Sequence, residues 1–199
     1  PIENLTIPAG VTELGDGAFA DSGFTGTLTV SGPVEELPFK AFAGCHFDEV
    51  VLAEGVAVLR ERALSFCDVE GEDMTSITIH LPLSLQQIDR WAIDGYESGE
   101  ALTLSYAGCE PLWDALVESG VIDDRMTARD VNVVTGDHRF TDYAPNSDGL
   151  TETAFCDFGC GETDTREIPA VYLITPEGQR ICVRESYETC VLNAPNYTI

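Results

Sequence analysis

The residues of this 199-residue chain best suited to chemistry are its seven cysteines and three histidines. Cys156, Cys160, Cys182 and Cys190 gather near the end of the sequence, downstream of His138. Four thiolates, or three with the imidazole, could complete the tetrahedron of a zinc site, so these five residues are the candidate metal ligands. Against that reading, the Cys-x-x-x-Cys spacing of Cys156 and Cys160 is looser than a zinc knuckle, and seven residues lie between Cys182 and Cys190. The expectation is therefore one or two disulfides, or free thiols, in a small end domain that wants covalent staples, with no metal and no other cofactor. With an odd total, at least one thiol stays unpaired.

Other reactive constellations are absent. The chain has no Gly-x-Ser-x-Gly, no His-Glu-x-x-His and no phosphate-binding glycine loop. Asn146-Ser-Asp148-Gly149 has the middle of a calcium loop, but the first and twelfth ligand positions would fall on Ala144 and Phe155, which excludes an EF-hand. Cys45 and His46 are neighbours, yet Cys45 shares a buried repeat position with Cys67, where a thiol is inert. Carboxylate pairs such as Glu35-Glu36 follow from composition alone. No catalytic residue is assigned. The enzymatic alternative is a thiol or metal hydrolase with its site in residues 130–199, built on Cys156, Cys160 and His138.

Composition narrows the partners. The chain carries 35 acidic against 10 basic residues, a formal charge of −25, and its single lysine is Lys40. Phosphate recognition needs clustered Lys and Arg, so nucleic acids and anionic membrane surfaces are excluded as partners. The charge is even, −14 over residues 1–107 and −11 over 108–199, as on a solvated surface. A hydrophobic share of 44% is enough for a core. No apolar run approaches the roughly 18 residues of a membrane span. Beginning at Pro1, without a basic, apolar leader, the sequence is expected to be a processed or excised piece of a longer chain.

The elements that position these residues are written as a repeat. Leu5-Thr-Ile7-Pro8, Leu28-Thr-Val30, Val50-Val-Leu52 and Ile79-His-Leu81-Pro82 align, and Leu102-Thr-Leu104 is read as a fifth start; the spacings are 23, 22, 29 and 23 residues. In phase behind the first four come Val11, Val34, Val56 and Leu85, then Leu14, Leu37, Leu59 and Ile88, then Ala18-Phe19, Ala41-Phe42, Ala63-Leu64 and Ala92-Ile93. Apolar residues two apart put one face of a short strand into a core, and Pro8 and Pro82 end it by removing a donor. Each unit is too short to bury its own apolar face and must stack on the next. The long third spacing predicts a loop inserted near Glu70-Gly71-Glu72-Asp73.

The phrase Leu-x-Ile-Pro-x-x-Val-x-x-Leu-Gly-x-x-Ala-Phe, closest to its full form in Leu5–Phe19 and ending in Ala41-Phe42-Ala43-Gly44-Cys45, resembles the BspA-like leucine-rich repeat of bacterial surface proteins. Tyr106-Ala-Gly-Cys109-Glu-Pro-Leu-Trp113 is similar to the segment that closes such arrays, with Cys109 where a small hydroxyl residue is expected. Physically it suits a cap: Pro111 fits a first helical turn, Leu112, Leu116 and Val117 share a face, and Trp113 can cover the stack. Residues 138–165, from His138-Arg-Phe140 to Asp164-Thr165, resemble a small cysteine-containing module of gut-bacterial surface proteins, but lack a cysteine ahead of His138. Two β-rich runs, Ala170–Thr175 and Arg180–Arg184, flank Pro176-Glu-Gly-Gln179 and predict a hairpin.

The expected architecture is thus a repeat solenoid, mainly β with a short capping helix, over residues 1–129, followed by a small cysteine-containing β-rich domain over 130–199. Alternation points Thr6, Thr29, Val51, His80 and Thr103 outward, flanked by Asn4, Thr27, Glu49, Thr78 and Ala101. Mostly small and polar, and without Trp, Tyr or Phe, this row does not suit sugar stacking, and it is the candidate binding face for another protein. Threonine also simply fits an exposed pleated surface. The resemblance implies an extracellular or cell-surface adhesion module that binds an extracellular or host protein; a structural cell-wall spacer is the plainer alternative.

Overall fold

A computed structural model describes residues 2–65, 76–94, 102–122, 131–148, 150–168, 171–174, 176 and 180–183. The chain divides into two compact units, Pro1–Asp137 and His138–Ile199.

The first unit is built from repeating coils, in the middle three of which a long strand is followed by a short one. In chain order these are β1 (Ile2–Ile7), β2 (Phe24–Val30), β3 (Glu36–Leu37), β4 (His46–Leu52), β5 (Val58–Leu59), β6 (Ile77–Leu81), β7 (Gln87–Ile88) and β8 (Leu102–Cys109). A helix, α1 (Glu110–Glu118), and a last strand, β9 (Asn132–Gly136), follow. The long strands form a six-stranded sheet ordered β1-β2-β4-β6-β8-β9, and β3, β5 and β7 form a second, three-stranded sheet. Every pairing in both sheets is parallel.

Alternation explains why the long strands form. In β6 and β8 every second side chain is buried, as in Ile77, Ile79, Leu81, Leu102, Leu104 and Tyr106. The expected inner layer is in place in the second to fourth coils, where Val34, Leu37, Val56, Leu59, Leu85 and Ile88 are buried, and so are Ala41-Phe42, Ala63-Leu64 and Ala92-Ile93; in the first coil Val11, Leu14 and Phe19 are half-buried and Ala18 is exposed. The conserved spacing has a backbone cause as well. The amides of Phe19, Phe42 and Leu64 donate to the carbonyls of Ala41, Ala63 and Ala92, one coil further on. A turn precedes each of these alanines, whose N–H donates back to Gly15, Pro38, Arg60 and Asp89 respectively for Ala18, Ala41, Ala63 and Ala92. The residue before each alanine, Gly17, Lys40, Arg62 or Trp91, adopts positive φ of 62°, 55°, 60° or 65°. An L side chain is uncommon there, so the stacking ladder offsets a local backbone cost.

Phe42 sits at the centre of the core, stacked on Phe19 with centroids 5.3 Å apart and edge-on to Phe47 at 6.3 Å. Burying such a side chain stabilises the fold by about 1.5–3 kcal/mol relative to leaving it exposed. Cys45 is fully buried, with its thiol donating to the Phe19 carbonyl at 3.3 Å; burial, with Asp21 nearby, pushes its pKa up against weaker opposing contacts from the Phe24 and Ser22 backbone. That is the inert thiol the repeat position predicts. Cys67, Glu70–Asp73 and Ala101 lie outside the described residues.

The end of the array differs from expectation in two ways. Pro111 lies in the first turn of α1, Leu112, Leu116 and Val117 pack on the core, and Trp113 is buried against Tyr106 at 5.6 Å between centroids. The sheet nevertheless continues past the expected boundary at 129, because β9 pairs with β8 and brings Val133 onto the core. The fifth repeat start is also shifted. Ile79 pairs with Leu104, so the phrase in phase with Ile79-His-Leu81 is Leu104-Ser-Tyr106, and Leu102-Thr-Leu104 stands two residues early.

The second unit holds two antiparallel pieces. β10 (Ala144–Pro145), β11 (Thr151–Phe155) and β12 (Thr163–Glu167) form a three-stranded sheet. β13 (Val171–Ile174) and β14 (Arg180–Val183) pair as the expected hairpin. Within residues 138–148 and 150–168, only Ala154 and Cys156 are buried apolar side chains. Side-chain hydrogen bonds run through the three-stranded sheet. Thr153 and Thr165 meet across β11 and β12 at 2.8 Å, Asn146 donates to the hydroxyls of Thr151 and Thr153 at 2.8 and 2.9 Å, and Arg166 pairs with Glu152 at 2.7 Å. Asp148, in the segment that resembles a calcium loop, instead accepts from the Leu150 and Thr151 amides and the Thr151 hydroxyl and so shapes the turn into β11.

Candidate functional site

Two places in the molecule have features suited to function, one in each unit. The first is the outer face of the six-stranded sheet. Parallel pairing sets Thr6 beside Thr29, Thr29 beside Val51, and Val51 beside His80, as the repeat predicts. His80 is followed by Ser105 and then Val134, not by Thr103. Thr103 belongs to the adjacent row, which runs Thr27, Glu49, Thr78, Thr103, Asn132. The two-residue shift comes from the early apolar residue in β8: Leu102 and Leu104 both point inward, so either could be read as the start. Sequence spacing cannot choose between them, since a shift of two keeps the same face inside.

The bend of this face is built in. Asn4 is the bulged residue of β1, with φ of 63°, and its Oδ1 accepts the Thr27 amide at 2.8 Å. Gly26 lies against it with φ of 74°, and a Cβ there would come 2.6 Å from that same Oδ1. Polar contacts run along the rows. Thr27 donates its hydroxyl to Glu49 at 3.3 Å, the His80 ring nitrogen Nε2 lies 3.2 Å from the other Glu49 oxygen, and Asn132 donates to Thr103 at 3.4 Å. Glu49 is the only carboxylate in the two rows and His80 the only basic group. Neither row contains Trp, Tyr or Phe. Phe19, Phe42 and Phe47 point inward to the core cluster, while Phe39 is exposed.

The second place is a thiol–imidazole cluster in the second unit. His138 stands in the segment before β10, and Cys156 and Cys160 lie in the loop between β11 and β12. Their ligand atoms, one ring nitrogen and two Sγ, fall within 4.8 Å of one another. His138 Nδ1 is 3.4 Å from Cys160 Sγ. Neither Cys156 nor Cys160 is in a disulfide. Their loop is tightly folded: Cys156 donates its amide to Glu162 and accepts from Gly159, each at 2.8 Å, and Gly159 and Gly161 take positive φ of 78° and 92°.

Asp157 ties the His138 segment to this loop. Its amide donates to the Arg139 carbonyl at 2.7 Å, and its carboxylate accepts from Arg139 Nε at 2.9 Å and from the Thr141 amide at 3.1 Å. Burial opposes its charge, yet the Thr141 amide and hydroxyl and the Arg139 guanidinium outweigh that and hold its pKa below the usual carboxylate range. The same logic applies at Cys156. Burial opposes the thiolate, but His138, the Phe158 and Arg139 amides and the Cys160 thiol all favour it, holding its pKa down at about 6.

Of the five sequence candidates for metal ligation, the structure therefore brings together His138, Cys156 and Cys160. Cys190 lies outside the described residues, and Cys182 is described only through the backbone of β14. Cys109, which stood in place of a small hydroxyl residue, is the buried N-cap of α1 and pairs through its backbone with Gly136. Among the described residues, no helix is long and apolar enough to cross a membrane. Comparison with family models, with curated proteins and with solved structures found no match to this chain.

Proposed function

We propose that the protein is an extracellular, non-enzymatic binding module of the BspA-like leucine-rich repeat type, and that it docks a protein partner on the outer face of its long parallel sheet. The observation that carries this reading is the pair of in-register rows, Thr6-Thr29-Val51-His80-Ser105-Val134 and Thr27-Glu49-Thr78-Thr103-Asn132. They form a broad strip with one carboxylate on a chain whose net charge is −25. Hydroxyls, an amide, valines and an imidazole suit a desolvated protein contact, and the surrounding acidity suits a partner with a basic rim. A sugar would find no Trp, Tyr or Phe to stack on, and a nucleic acid would be repelled. The resemblance of the repeats to those of bacterial surface proteins supports the extracellular setting and the adhesive role.

The test is a binding screen of immobilised extracellular-matrix proteins against the parent and a Thr29→Arg, Val51→Arg, His80→Glu triple variant. These side chains are outward and half-buried, so the variant is expected to fold, which circular dichroism checks. The expected result is a partner bound by the parent and lost by the variant. A partner bound equally by both would place the contact elsewhere on the molecule.

A further inference from the structure

We propose that His138, Cys156 and Cys160 are the protein ligands of a structural zinc ion that closes the second unit. Three donors of the types zinc prefers converge from two separate segments, with their ligand atoms within 4.8 Å of one another. Their positions are held by hydrogen bonds of the adjoining chain. Asp157 fastens the chain next to His138 through Arg139 and Thr141, and the turn from Cys156 to Gly159 sets the spacing of the two sulfurs.

A second observation independently calls for a staple. Within residues 138–148 and 150–168, which carry the three donors, only Ala154 and Cys156 are buried apolar side chains, so the hydrophobic contribution holding the His138 segment to the β11–β12 loop is small. A metal linking the His138 segment to the β11–β12 loop joins residues 22 positions apart in sequence and supplies the missing constraint. Two soft sulfurs and an imidazole select zinc over calcium or magnesium, which take oxygen donors. On binding, zinc displaces the remaining thiol protons of Cys156 and Cys160 to solvent and meets the neutral imidazole. The tetrahedron is completed by a further donor. No oxidation or reduction is involved.

The experiment uses the full chain, purified under reducing conditions and equilibrated with zinc chloride, then freed of loose metal by gel filtration. Elemental analysis is expected to give one zinc per chain for the parent and for Cys45→Ser, whose thiol is buried in the solenoid. Cys156→Ser and Cys160→Ser are each expected to lose it. Replacing zinc with cobalt is expected to produce a thiolate-to-cobalt absorption band in the parent. His138→Cys keeps the metal and strengthens that band, because a third thiolate joins, whereas a variant that had simply misfolded would lose it. Zinc removal by a chelator is expected to speed amide exchange in β11 and β12 and leave β2 and β4 unchanged. The proposal is overturned if the parent holds no zinc, if both serine variants retain it at the parent level, if exchange in β11 and β12 does not respond to the metal, or if peptide mapping finds a Cys156–Cys160 disulfide.

Discussion

The two units solve the same problem with different materials. In the described residues of the first unit, coil stacks on coil, and each new coil buries the apolar edge of the last, from Leu5 through Leu28, Val50, Ile79 and Leu104. Backbone ladders repeat in step with that burial, so a substitution in one coil is felt by its two neighbours. In the unit beginning at His138, strands β10 to β12 are short and mostly half-buried or exposed, and hydrogen bonds made by Asp157, Asn146, Thr153 and Arg166 do the joining there. Such bonds contribute little net stability each, because water competes for the same groups. The comparison teaches where a chemically reactive group can reside. A thiol in the first unit, such as Cys45, is sealed and raised in pKa by burial, while Cys156 is surrounded by donors that favour its thiolate.

This contrast can be broken in four places, beginning with the largest effect. Phe42→Ala removes a fully buried ring stacked on Phe19 and should destabilise the first unit by about 3–5 kcal/mol in denaturant unfolding. A loss under about 1 kcal/mol would mean that the coils are not packed at native density. Asp157→Ala acts on the second unit alone. The Thr141 amide loses its acceptor, and hydrogen exchange should quicken there while the amides of β4 and β6 keep their protection. Equal acceleration in both units would end the distinction drawn above.

The third concerns Tyr143, whose hydroxyl donates to Asp164 beneath the Arg166 guanidinium. The hydrogen bond to Asp164, with burial and the nearby carboxylate charge, raises its pKa above the ordinary phenol value against the opposing pull of Arg166. A raised folded-state pKa means that the contribution of this contact is full below the unfolded value of about 10 and is lost as pH rises through the folded one. A difference titration of tyrosinate absorbance between the parent and Tyr143→Phe should therefore place the missing step above about 10. A step at the ordinary value would show the polar network of the second unit to be loose in solution.

The smallest effect lies on the solenoid surface. Arg60 pairs with Glu36 at 2.7 Å, and both side chains are about two-fifths exposed. The hydrogen bond from Arg60 lowers the Glu36 pKa despite partial burial, so its contribution is present above the unfolded value of about 4.3 and disappears as pH falls through the folded one. At neutral pH, Glu36→Gln should cost no more than about 1 kcal/mol, and less in high salt. A larger loss would show that the solenoid depends on polar contacts as the second unit does.

The repeat was legible before the structure because its signal is local and redundant. Leu5, Leu28, Val50 and Ile79 recur with the same following Val-x-x-Leu and Ala-Phe positions, and each copy confirms the phase of the others. The fifth start was not legible. Leu102, Leu104 and Tyr106 all face inward, and only the pairing of β8 with β6 shows that Ser105, not Thr103, continues the row of Thr29, Val51 and His80. The extent of the sheet was missed for a related reason, since Asn132–Gly136 carries only Val133 to the core and has no repeat phrase.

The candidate cluster divides in the same way. Residue types alone named His138, Cys156 and Cys160, because only thiols and imidazoles make such a site. Their convergence depends on contacts between distant segments, Asp157 to Arg139 and Thr141, which no periodicity encodes. The sequence by itself determined the stacked architecture, the inward and outward sides of its strands and the acidic surface, since these follow from the order of apolar and polar residues along the chain. The tertiary structure alone decided the register of the last strands and which thiols meet which imidazole, because both depend on pairings between residues that are remote in sequence.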